Sequence, residues 1–139
     1  MVDKPKIMIV DDSETITRTA RKFLEPDYEV FEVSNGFQAL GAVIEIRPDM
    51  VFMDIMMPRL DGYSACLAIK SNPEFDKLPV VMLSSKDSPF DKARGAMMGG
   101  NDYLTKPFSA DALVDAVRRH LPHFHLPPDP HTDTPEAAG

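Results

Sequence analysis

Basic residues are scarce relative to acidic ones: fifteen Lys and Arg stand against 22 Asp and Glu in 139 residues, for a formal net charge of −7. That balance opposes the positive field needed to bind nucleic-acid phosphates or anionic lipid, so no nucleic-acid partner is expected. A single cysteine, Cys66, can form no internal disulfide, which fits a reducing compartment. No apolar run approaches the roughly 18 residues of a membrane span, and the start, Met1 to Pro5, has no apolar signal segment. The expectation is a cytoplasmic protein with no membrane insertion. Neither G-x-x-x-x-G-K-[ST] nor G-x-G-x-x-G occurs, which argues against nucleotide-dependent classes. No internal repeat is found.

With 43% hydrophobic and 27% charged residues, the chain has the composition of one ordinary globular domain, large enough to fold without disulfides or a structural metal. A separate DNA-binding domain would need roughly 100 more residues, so output is expected from the surface of this one domain. The domain is assigned to residues 1–122. Residues 123–139, HFHLPPDPHTDTPEAAG, contain no Lys or Arg, are rich in proline and offer almost nothing for a core; they read as a disordered tail. The spacing His120-x-x-His123-x-His125 is not read as a metal site, because Pro122 breaks the helical register between the histidines.

Short apolar runs at Ile7–Val10, Val30–Val33, Met50–Met53 and Val80–Leu83, with a weaker Tyr103–Leu104, alternate with segments of helical period. IMIV, MVFM and VVML are continuously apolar, as strands buried on both faces should be, and are placed centrally. EVFEV is interrupted by Glu29 and Glu32 and suits an edge. The helices are predicted from Glu14 to Glu25, from after Asn35-Gly36 to before Pro48, within Asp61–Ser71, from near Pro89 towards Gly99-Gly100, and through Leu113, Val114, Val117 and Leu121. Strict alternation of five strands and five helices predicts an α/β doubly wound, five-stranded parallel sheet.

Polar residues fall at the carboxyl ends of these strands, where open parallel sheets bind ligands. The first strand ends in Asp11-Asp12, the third in Asp54 and the fourth in Ser84-Ser85; Lys106-Pro107 follows the fifth. Three carboxylates within about 5 Å repel by roughly 3 kcal/mol per pair at an effective dielectric near 20, so a cation is required. A site of carboxylates, waters and at most one backbone carbonyl suits Mg2+ better than Ca2+. The ion prepares the cleft for a phosphoryl group, Lys106 and Ser84 contact further phosphoryl oxygens, and one carboxylate is left as nucleophile. The plainer reading is that Asp12 or Ser13 merely caps the first helix, that Tyr103 is a half-buried aromatic fixed by packing, and that Cys66 is a small half-buried hydrophobe.

VDDS at 10–13, MDIMMPRLDG at 53–62, LSS at 83–85 and YLTKPF at 103–108 resemble the receiver domain of two-component response regulators, over residues 6 to about 121. The resemblance implies the flavodoxin-like strand order 2-1-3-4-5, an order the chemotaxis receiver also exemplifies. The wording IVDDSETI, MMPRLDGY and VVMLSSKDSPFDKARG is most similar to regulators of type IV pilus twitching motility. Residue by residue, the resemblance implies that Asp54 accepts a phosphoryl group from a histidine kinase. It further implies that Asp12, Asp54 and the Met56 carbonyl bind Mg2+ directly and that Asp11 acts through a metal-bound water. Ser84 and Tyr103 match the family's switch pair, Pro58 and Gly62 its phosphorylation loop, and Lys106 precedes a proline commonly in a cis peptide. Met56 and Lys86 stand where hydrolysis is tuned, and neither is an acid or amide. The implied protein is a monomeric response regulator whose only chemistry is its own phosphorylation and dephosphorylation. It signals to a downstream motility or signalling protein through the surface around Lys92, Tyr103 and Asp111; a phosphate sink or relay is the alternative.

Overall fold

In the computed structural model residues 4–57, 60–84 and 100–121 are described. Among them the order is β1 (Lys6–Val10), α1 (Glu14–Leu24), β2 (Glu29–Val33), α2 (Gly36–Ile46), β3 (Met50–Asp54), α3 (Gly62–Lys70), β4 (Val80–Ser84), β5 (Asp102–Thr105) and α4 (Ala110–His120). The helix expected between Pro89 and Gly99 lies outside the described residues, so α4 is the fifth helix of the sequence reading. The five strands pair in parallel in the order β2-β1-β3-β4-β5, the flavodoxin-like order.

The three continuously apolar runs are the central strands, and every residue of β3 and β4 is buried. β2 is an edge with Glu29 and Glu32 exposed, and β5, partly exposed along its length, is the other. Strand periodicity splits the core into two layers. Met8, Val10, Val51, Met53, Val80 and Met82 pack under α2 and α3. Ile7, Ile9, Phe52, Val81 and Leu83 pack under α1 and α4.

Each helix starts at the carboxyl edge of the sheet on a side-chain cap. Ser13, Asn35, Asp61 and Ser109 accept from the backbone N–H of Ile16, Gln38, Ser64 and Ala112 respectively. Cys66 is fully buried rather than half-buried, because the α3 stripe Ala65, Cys66 and Ile69 faces β3 and β4; burial pushes its thiol up to about 11, leaving it inert.

Candidate functional site

The strand order sets Asp11, at the end of β1, beside Asp54, at the end of β3, since Val10 pairs with Met53. The ladder continues into the loops and holds them: Asp11 N–H donates to Val33 C=O at 3.0 Å, Ile55 N–H to Leu83 C=O at 3.0 Å and Lys106 N–H to Ser84 C=O at 2.7 Å. The last bond places Lys106 over the end of β4, followed by a cis peptide to Pro107. Its Nζ then lies 3.2 Å from Asp11 Oδ2 and 3.1 Å from Asp54 Oδ1. Asp11 is 2% exposed and Asp54 3%, so this ion pair is screened little by solvent.

Asp12 is exposed at the mouth of the cleft. One oxygen from each of Asp11, Asp12 and Asp54 lies within 4.8 Å of the others. The helix cap is Ser13, whose hydroxyl accepts from Ile16 N–H, while Asp11 Oδ1 accepts from Ser13 N–H at 2.9 Å. The cap-only reading therefore applies to Ser13 and leaves the Asp12 carboxylate to the cluster.

Burial pushes the Asp54 carboxyl up to about 6, the neighbouring Asp11 carboxylate adds to the rise, and Lys106 and the Met56 N–H oppose it. For Lys106 burial pulls downward, but Asp54 and Asp11 outweigh it and hold the ammonium above its ordinary range. The centre gathers three acidic side chains around one ammonium. An all-oxygen donor set with an open, solvated side fits a hard, hydrated divalent ion such as Mg2+. If Asp54 is one of the ligands it must be deprotonated to bind the ion, and Mg2+ affinity is then expected to hold from pH 8 to 7 and fall below, approaching about tenfold per pH unit below 6. Calorimetric titration at pH 5, 6, 7 and 8 checks this; equal affinity at pH 5 and 7 would remove Asp54 from the ligand set.

Of the other sequence candidates, Ser84 is buried at the end of β4, and Met56 is 74% exposed with its N–H donating to Asp54 Oδ1 at 3.4 Å. Asp111 lies in the first turn of α4. Tyr103 is half-buried on β5 against the α2/α3 core layer. Lys92, Ser85, Lys86 and Pro58 lie outside the described residues. Sequence reasoning missed Tyr63, which is 3% exposed and hydrogen-bonded through its hydroxyl to that of Tyr103. Its only signal was an aromatic directly after Asp61-Gly62.

Comparison with known proteins adds a family. Residues 7–118 match the model described as response regulator receiver domain. The chain is 49% identical over 123 residues to Protein PilG of Pseudomonas aeruginosa, covering 88% of this chain and 91% of that protein. It is 38% identical over 118 residues to the alkaline phosphatase synthesis transcriptional regulatory protein PhoP of Bacillus subtilis, covering 82% of this chain and 48% of that one. Among solved structures it is similar to the chemotaxis protein CheY4 of Vibrio cholerae, with a TM-score of 0.81 and 29% identity over 85% of this chain and 99% of that chain. The receiver domain of NtrX from Brucella abortus gives 0.77 and 31% over 84% and 98%.

Proposed function

This chain belongs to the family of response regulator receiver domains, and from that membership we propose that Asp54 accepts a phosphoryl group from a histidine kinase in a Mg2+-dependent step, and that the phosphorylated form signals by binding a downstream protein. Likeness to PilG and to a chemotaxis receiver, together with the motif wording, supports an output in type IV pilus twitching or chemotaxis-like signalling.

The observation that carries this reading is Lys106 Nζ bridging Asp11 and Asp54 at 3.2 and 3.1 Å with Asp12 alongside. With its carboxyl near 6, Asp54 is mostly ionised at neutral pH and able to attack phosphorus. A P–O bond forms to its carboxylate as the donor's P–N bond breaks, and the electron pair and a proton end on the departing imidazole. Asp11, Asp12, Asp54 and the Met56 carbonyl would hold Mg2+, which when bound offsets the charge on the transferring phosphoryl oxygens. Lys106 supplies a fixed cation to one of those oxygens, and the Ser84 hydroxyl a hydrogen bond to another.

A phosphate sink or relay remains the second reading. The exposed thioether of Met56 cannot orient a water as an acid or amide would, which favours a phosphoryl group long-lived enough for signalling. Incubation with acetyl phosphate and Mg2+ should add one phosphoryl group to the wild type by intact mass and none to Asp54→Ala. Equal labelling of the two would end the proposal.

A further inference from the structure

Tyr63 connects the phosphorylation loop to the far edge of the sheet. It follows Gly62, whose N–H donates to Ile55 C=O at 3.0 Å and whose Cα packs on the Asp54 carbonyl so closely that a Cβ there would meet that oxygen at 2.1 Å. The position of Tyr63 is therefore set by the backbone that carries Asp54. At the other end, Tyr103 sits on edge strand β5. Met53, Met82 and Tyr103 form one row across β3, β4 and β5, and all three contribute to the core layer under α2 and α3. Tyr63, in the first turn of α3, and Tyr103, on β5, belong to the same core layer and meet hydroxyl to hydroxyl. Strand periodicity also puts Ser84 on this face, two residues beyond Met82. The phosphoryl-contacting hydroxyl and the aromatic expected to respond to it therefore share a face with Tyr63.

The Tyr103 ring packs against the core layer, with the Tyr63 hydroxyl as a partner of its own. We propose that Tyr63 is a positioning residue for the switch, its hydroxyl docking that of Tyr103 so that the inward ring position is tied to the loop carrying Asp54. The proposal rests on the reading of Asp54 as phosphoacceptor. If inward Tyr103 and an occupied phosphoryl site favour one another, linkage makes the effect reciprocal: loss of the docking bond weakens binding at the site although Tyr63 touches no ligand. One net hydrogen bond corresponds to a factor of about three to ten.

The test is a four-protein cycle of wild type, Tyr63→Phe, Tyr103→Phe and the double variant, each ring retained so that packing is kept. Each is titrated with beryllofluoride in saturating Mg2+ and followed by NMR of tyrosine rings carrying 13C at the ε positions. The chain has three tyrosines, so the wild-type ring signals are assigned by the single substitutions. Tyr63→Phe should shift the Tyr103 signal in the free protein and lower apparent beryllofluoride affinity by about three- to tenfold. In the Tyr103→Phe background the same substitution should cost nothing further. Mg2+ affinity without beryllofluoride should be equal in all four. An unchanged affinity in Tyr63→Phe, or a loss that persists in full in the Tyr103→Phe background, would overturn the inference while leaving Asp54 as acceptor. Absence of any beryllofluoride binding to the wild type would instead overturn the phosphoacceptor reading, and this inference with it.

Discussion

Lys106→Met is expected to destabilise the metal-free protein by about 3 kcal/mol at pH 8 and by much less at pH 5. The side chains of Asp11 and Asp54 are 0% and 4% exposed, and Lys106 is the cation bonded to both. Methionine keeps the length of the stem but leaves two buried carboxylates facing each other. The pH dependence follows from Asp54, whose carboxyl burial and Asp11 raise from the ordinary 3.8 to about 6 in the wild type. A carboxyl with a raised folded-state value binds its proton more tightly folded than unfolded. Its contribution to stability is whole below about pH 4, is lost as the pH rises to about 6, and is level beyond. Removing Lys106 removes an influence that lowers Asp54, so in the variant the decline continues to higher pH and the two proteins diverge between pH 6 and 8. At pH 5 Asp54 is largely protonated in both and little repulsion remains. Denaturant melts in EDTA across this range measure the difference, and saturating Mg2+ should restore part of it by supplying the missing positive charge. The rate of labelling by acetyl phosphate should fall by about a hundredfold or more, as when one preorganised donor to a developing anion is lost. A variant as stable as the wild type at pH 8 would show that the pair is solvated rather than buried.

How much of this centre was readable from sequence depends on which contacts are local. Asp11, Asp54, Ser84 and Lys106 each adjoin the end of an apolar run, and parallel strands bring such ends together, so strand boundaries and topology carried the cluster. The central placement of IMIV, MVFM and VVML came from continuous apolarity, and the edge placement of EVFEV from its glutamates; both agree with the observed order. The Tyr63–Tyr103 bond joins residues forty positions apart, one on α3 and one on β5. No periodicity encodes which two long side chains will meet tip to tip. The full burial of Cys66 was missed because α3 has a weak polar/apolar contrast, with Ala65, Cys66, Leu67, Ala68 and Ile69 consecutive and only Ala65, Cys66 and Ile69 buried. The network of Asp102 with Arg119 at 2.7 Å and His120 at 3.0 Å was equally invisible, and it makes His120 a partner of β5.

Gly62→Ala and Gly41→Ala should change stability in opposite directions, although both add one methyl group to a helix. Alanine is the better helix former by about 1 kcal/mol, and at Gly41, mid-helix on α2 and exposed, an added Cβ meets nothing within 4 Å. There the gain should appear almost whole, as about 0.5 to 1 kcal/mol of stabilisation, partly through the unfolded chain. At Gly62 the same Cβ would lie 2.1 Å from the Asp54 carbonyl oxygen, 2.8 Å from its carbon and 2.9 Å from Ile55 Cα. These are backbone atoms at the end of a fully buried strand, so no rotamer can relieve the clash, and α3 must lift or the end of β3 must move. Overpacking against a core that cannot yield costs about 3 kcal/mol, a drop in Tm of roughly 10 °C for a domain of this size. The displaced segment is also the one that aims Asp54, and its Ile55 carbonyl loses the Gly62 N–H now held at 3.0 Å. Labelling by acetyl phosphate should therefore slow in Gly62→Ala even well below its melting temperature, where the protein is folded, and remain at the wild-type rate in Gly41→Ala. If Gly62→Ala melts within 2 °C of the wild type, helix α3 is not packed on the phosphorylation loop as tightly as these distances require.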